Sequence, residues 1–215
     1  MLVIGAKGFA KEILEVLHRD GLSENLVFYD DVSTDLPDKL YALFPIITNL
    51  ADAQTYLQET DNRFTLAIGN PILRKRLHDK FIAIGGIFTS TICSRTSIGT
   101  FGNQIGIGCN IMTGSVITNG VTIEQGVLIN LNCTISHDCH IKEFTEISPG
   151  VNITGNCTIG SFCAIGTNAT ILPKITIGNN VVVAAGAVVT KDLPDNCMAA
   201  GVPAVIKKIL PELPF

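Results

Sequence analysis

Residues 129–165 read INLNCTISHDCHIKEFTEISPGVNITGNCTIGSFCAI, and isoleucine returns at every sixth position through the stretch: Ile129, Ile135, Ile141, Ile147, Ile153, Ile159 and Ile165. The cadence extends backward through Ile123, Ile117, Ile111 and Ile105 and forward through Ile171, Ile177, Val183 and Val189, fifteen consecutive positions that are all Ile or Val. An α-helix, with its period of about 3.6 residues, would scatter these side chains around every face, and one strand of period 2 does not run so far. A solenoid keeps every anchor inside: each hexapeptide forms a short flat side, its Ile points inward, and three sides close a triangular coil.

The position four after each anchor points toward the same lumen and is small or apolar, as at Val121, Val127, Val151, Ala169 and Val181. Five of the seven cysteines, Cys109, Cys133, Cys139, Cys157 and Cys163, fall on it and read as core filler. No cysteine pair has the close spacing of a metal knuckle or redox motif. Gly155-Asn156, Gly166, Asn168 and Gly178-Asn179-Asn180 are expected at the corners, where positive φ is tolerated. Ile98 and Ile92 extend the array backward with one extra residue between Ile98 and Ile105, so a bulge or small loop is expected there.

With 47% hydrophobic but only 6% aromatic residues, the apolar content is carried by Ile and Val, which favours strands. Apolar runs stop well short of the roughly 18 residues a membrane span needs, and Met1-Leu2-Val3-Ile4-Gly5 is no basic leader, so a cytoplasmic location is expected. A net charge of -4 without a dense Lys/Arg stripe gives no footprint for a polyanion, and no nucleic-acid partner is expected.

Residues 1–86 lack the sixfold period and alternate strand with helix, which predicts a Rossmann-like α/β domain ahead of the solenoid at 87–215. Strands are expected at Met1–Ile4, Leu26–Tyr29, Pro45–Thr48 and Phe64–Ile68. Helices are expected after Gly5-Ala6-Lys7-Gly8-Phe9-Ala10, ending near Gly21, over Leu50–Leu57, and after Asn70-Pro71. The Gly5/Gly8 turn is either a tight turn or a place for backbone to approach a phosphate; Asp30 and Asp31 are either solvated strand-end residues or partners for a ribose or nucleobase. Half a Rossmann unit suits a mononucleotide.

Gly-Ala-Lys-Gly-Phe-Ala, then Asp30-Asp31, Ala67-Ile68-Gly69-Asn70 with Arg74-Lys75, Ile135-Ser136-His137-Asp138-Cys139 and the closing Gly201-Val202-Pro203-Ala204 occur in one order along nearly the whole chain. This set resembles the NeuD/PglD-like nucleotide-sugar acyltransferases of the hexapeptide-repeat superfamily. The resemblance implies a left-handed parallel β-helix, a homotrimer with active sites between neighbouring helices, and acetyl-coenzyme A as co-substrate with no metal. It implies N-acetylation of a UDP-type amino sugar for surface glycan biosynthesis. It places the substrate at Gly5, Gly8, Asp30, Asp31, Gly69 and Asn70, the coenzyme at Asn130, Gly155, Thr167 and Ala185, and the general base at His137. Asp138 orients the base in such enzymes, although strand neighbours start on opposite faces. Imidazole has the pKa to take a proton from an attacking amine near neutral pH.

Some relatives carry His where this chain has Phe9 and Glu146. His140 is close to His137, but His18 and His78 belong to helices of the other domain, so a three-histidine metal site is not supported. O-acetylation of a sugar such as a sialic acid, and a non-catalytic nucleotide-sugar-binding scaffold, stand as alternatives.

Overall fold

The computed structural model describes residues 1–213 and contains two compact units, Met1–Gly69 with Leu73–Thr91, and Asn70–Ile72 with Ile92 onward. The first unit therefore runs past residue 86. Its last strand closes the α/β sheet before the sixfold register begins.

In the first unit β1 (Leu2–Ile4), β2 (Val27–Tyr29), β4 (Phe44–Ile47), β5 (Arg63–Leu66) and β6 (Ile87–Phe88) form a parallel sheet ordered β4-β2-β1-β5-β6, and β3 (Lys39–Leu40) pairs antiparallel with β4 at the edge. The β3–β4 hairpin is not foreshadowed in the sequence, because its turn uses Tyr41 and Ala42 at positive φ in place of Gly or Asn. Helix α1 (Gly8–Arg19) buries Ala10, Ile13, Leu14, Val16 and Leu17, one apolar stripe. It stops at Gly21 (φ +72°), where the Leu22 N–H reaches the Leu17 carbonyl at 2.7 Å and the Gly21 N–H that of His18 at 3.2 Å. Helix α2 (Leu50–Glu59) is capped by Asn49, which accepts from the Asp52 N–H, and α3 (Pro71–Ala83) opens on the expected proline.

The second unit is a left-handed parallel β-helix. Ile117 pairs with Ile135 and Ile135 with Ile153, so one coil takes eighteen residues and each residue stacks on the one eighteen further on. Three faces result. The first carries Leu128–Ile129, Glu146–Ile147 and Ala164–Ile165; the second Thr134–Ile135, Asn152–Ile153 and Thr170–Ile171; the third His140–Ile141, Thr158–Ile159 and Thr176–Ile177. Anchors from Ile111 to Val189 are buried, and all seven cysteines are buried free thiols.

From Gly108 to Gly186 each corner has its left-handed residue three positions after the anchor, as at Asn132, Asp138, Phe144, Gly150 and Asn156. Gly155, Gly166 and Gly178 do not adopt positive φ, contrary to the expectation for the corners. They are glycine because an adjacent coil lies too close: a Cβ on Gly166 would come within 2.6 Å of the Ala185 nitrogen one coil on, and one on Gly155 within 2.6 Å of the His137 ring one coil back. The extra residue before Ile105 does make a small loop. There Asn103 stands in for missing ladder bonds, donating to the Gly99 and Thr118 carbonyls at 2.8 and 2.6 Å and accepting from the Val121 N–H at 2.8 Å.

Burial pushes the Cys133 thiol up to about 11 and the Cys163 thiol up to about 12, so neither is nucleophilic at neutral pH. Thiol titration checks this packing. Fewer than about one cysteine per chain is expected to react with an aromatic disulfide reagent in the native protein, and all seven after unfolding.

Candidate active site

In the α/β unit the carboxyl ends of β1, β2 and β5 surround a cavity of about 340 Å³, lined by Gly5, Gly8, Phe9, Asp30, Asp31 and Gly69 among others. It lies where parallel α/β sheets bind ligands, outside the strand ends. Five of the six substrate positions expected from the resemblance converge on it; Asn70 does not line it. Gly5 (φ +115°) has no room for a side chain, since a Cβ would sit 2.8 Å from the Ala67 carbonyl oxygen. Gly8 has open space above it at the start of α1, a helix with no side-chain cap and no acidic residue in its first turn.

The two carboxylates behave differently. Asp30 Oδ1 accepts the Val32 and Ser33 N–H groups at 3.2 and 2.9 Å, and Oδ2 accepts the Ser33 hydroxyl at 3.1 Å, so this side chain builds the loop after β2. Asp31 Oδ2 accepts the Tyr29 hydroxyl at 2.7 Å and the Lys80 ammonium at 2.8 Å. Burial alone would raise the Asp31 carboxyl, but the hydrogen bonds from Lys80 and Tyr29 outweigh it and hold the group below the usual carboxylate range. Burial first, and then Asp31, push the Tyr29 phenol up. Neither partner was expected from the sequence: Tyr29 lines the cavity, and Lys80, on α3 and far from Asp31 along the chain, reaches the cavity wall only through Asp31.

On the β-helix, His137 and Asp138 form the turn after Thr134–Ile135. The expectation that their side chains leave on opposite faces is corrected: Asp138 has φ +58°, which breaks strand alternation, and its Oδ2 lies 2.8 Å from His137 Nδ1. Both side chains are more than half exposed, so the imidazole projects outward. With Nδ1–H given to the carboxylate, Nε2 is the ring's acceptor. It lies over Gly155 one coil on, where a Cβ would come within 2.6 Å of Cε1 and Nε2. Gly155 is thus the floor under the ring.

Asn130, Thr167 and Ala185 lie elsewhere. They follow first-face strands, whereas His137 and Gly155 follow second-face strands, so one chain divides these residues between two edges of the prism. Asn130 Oδ1 accepts the Leu131 N–H at 2.8 Å, which is corner chemistry. Glu146 accepts the Ser148 hydroxyl at 2.8 and 2.9 Å. His140 Nε2 is engaged by Glu124 Oε1 at 2.7 Å, on the third face. Among the described residues no group of three or more His, Cys, Asp or Glu converges as a metal site would require, and no helix is long and apolar enough to cross a membrane.

Two family descriptions match: the PglD N-terminal domain over residues 1–81, and the bacterial transferase hexapeptide (six repeats) over residues 156–191. The acetyltransferase domain of PglB from Neisseria gonorrhoeae, solved with acetyl coenzyme A, is 31% identical, with 96% of this chain and 98% of that one covered and a TM-score of 0.85. The chain belongs to the PglD-like hexapeptide-repeat sugar acyltransferases. A histidine-to-asparagine variant of perosamine N-acetyltransferase from Caulobacter crescentus, in complex with CoA and GDP-perosamine, is 27% identical with 96% of each chain covered and a TM-score of 0.89. WeeI from Acinetobacter baumannii is 26% identical over 96% of this chain and 98% of that one, with a TM-score of 0.85. No curated protein sequence matches.

The tight His137–Gly155 stack makes a specific demand. Gly155→Ala is expected to displace the ring and, with the imidazole as the proton acceptor, to lower kcat by about one to two powers of ten, the cost of misplacing a reacting group by about 1 Å. Steady-state kinetics at saturating substrates checks it, and an unchanged kcat would count against the stack.

Proposed function

We propose that this chain transfers the acetyl group of acetyl-coenzyme A to the amine of a nucleoside-diphosphate-linked amino sugar, with His137 as general base, in the cytoplasm and as a homotrimer. Residues 1–86 hold the nucleotide sugar and residues 87–215 the thioester; residues 214–215 lie outside the described residues. The observation that carries the reading is the outward imidazole whose Nδ1 is held by Asp138 and whose Nε2 lies over Gly155.

In the reaction Nε2 takes the proton from the amine as its nitrogen lone pair adds to the thioester carbonyl. Asp138 keeps the tautomer that exposes Nε2 and stabilises the imidazolium that forms. The carbonyl oxygen becomes an oxyanion, for which the Asn130 amide is a suitable donor. Collapse breaks the C–S bond, and the coenzyme A thiolate leaves and takes up a proton; no covalent enzyme intermediate forms. The division of His137 and Asn130 between two prism edges supports the trimer, since packing three copies edge to edge brings one edge of each copy against a different edge of its neighbour. In the α/β unit the cavity suits the nucleotide, and the apolar Phe9 replaces the histidine of some relatives on its wall.

The solved perosamine N-acetyltransferase holds GDP-perosamine, so GDP joins UDP among the carriers to be tried, together with dTDP. Thiol release from acetyl-coenzyme A is expected with one of these 4-amino sugars, and product mass should show an alkali-stable amide. An alkali-labile ester would point to O-acetylation, and nucleotide binding without thiol release to a scaffold. His137→Ala is expected to lower turnover by about two to four powers of ten, whereas His140→Ala, which breaks only the pair with Glu124, should stay within about threefold. The reverse ranking would remove His137 from the mechanism.

A further inference from the structure

The largest fully buried side chain among the described residues is a cation, Arg74, on the first turn of α3. Its Nη1 donates to the Ile68 carbonyl at 2.9 Å and to the Leu66 carbonyl at 3.3 Å. Between those two, the Ala67 carbonyl lies hard against Gly5, so tightly that no Cβ fits there, and the Ala67 N–H bonds to the Ile4 carbonyl at 2.8 Å. The segment after β5 is therefore clamped from both sides, by a guanidinium on one and by the β1–α1 turn on the other. Residues 67–69 form one wall of the 340 Å³ cavity, and Gly5 and Gly8 belong to another.

A guanidinium is an expensive way to fill this space. Removing it from water costs several kcal/mol, and an apolar side chain of similar volume often serves stability as well or better. What methionine or leucine lacks is a donor: the two hydrogens of one planar guanidinium nitrogen, Nη1, reach two carbonyls of one short segment. We infer that Arg74 is a positioning residue for substrate: it sets the 67–69 wall at its spacing from the Gly5–Gly8 turn, and so preorganises the cavity for the nucleotide sugar without touching it. This rests on the function proposed above. It assigns Arg74 no part in thioester binding or proton transfer.

The test compares Arg74→Met and Arg74→Lys with wild type, using whichever of the UDP-, dTDP- or GDP-linked 4-amino sugars wild type acetylates fastest. Arg74→Met is expected to raise KM for that sugar about tenfold or more while KM for acetyl-coenzyme A and kcat at saturating sugar stay within about threefold. Arg74→Lys, which keeps a donor cation, should fall between the two. Hydrogen exchange should quicken in the peptide spanning residues 66–70 and stay unchanged in the β-helix. If Arg74→Met does not fold, Arg74→Lys carries the test, with a sugar KM raised more than about threefold and the coenzyme KM unmoved. An unmoved sugar KM, or sugar KM, coenzyme KM and kcat that worsen together, would overturn the inference. If wild type acetylates none of the three sugars, the functional reading fails instead, and the exchange comparison still decides whether Arg74 holds the segment.

Discussion

The eighteen-residue register between coils is the constraint on which the β-helix depends. Each strand's backbone bonds to its equivalent one coil on, as where the Ser136 N–H meets the Ile153 carbonyl at 2.9 Å, so whatever stands at one position stacks on the residue eighteen later. Ile stacks on Ile inside. At the corners the same rule puts His137 over Gly155 and Asp138 over Gly120, whose missing side chain leaves room for the carboxylate. The placement of the ring is thus a consequence of the packing: an imidazole on a turn needs a floor, and the register supplies a glycine there. A slip of one residue would turn the anchors outward.

The α/β unit reaches rigidity by other means. Its strands are short, and the loops that carry the cavity are held by polar side chains turned on their own backbone: Asp30 on the loop after β2, Arg74 on the segment after β5. Asp31 is tied to α3 through Lys80, which sets its charge against a cation before any ligand arrives. Buried or half-buried polar groups whose bonds are already made keep a cavity from collapsing onto its apolar lining.

What was legible in the sequence follows from how many residues repeat the same message. The inward Ile/Val cadence is stated fifteen times, and each copy serves the same burial, so face, corner and lumen positions emerge from counting. Even the division of these positions between edges is latent in arithmetic: His137 and Gly155 differ by one coil, as do Thr167 and Ala185, but the two pairs fall on different corners. Backbone conformation at a single turn is another matter. That Asp138 is left-handed, and so meets His137, depends on the corner geometry of a closed coil, and an aspartate does not announce it. Lys80, and the task of Arg74 within its motif, are invisible for a further reason: their partners lie across the sheet, or are main-chain carbonyls that carry no sequence signature.

The most direct test of the account is a crystal structure of His137→Asn with coenzyme A and the nucleotide sugar that wild type acetylates. The account predicts the sugar's amine at hydrogen-bonding reach, about 2.6–3.2 Å, from the side chain at position 137, with the thiol arm of coenzyme A entering along the Thr167–Ala185 edge of a second copy and the nucleotide between Gly8 and Gly69. An amine seated beside His140, or a sugar bound away from the α/β cavity, would contradict it.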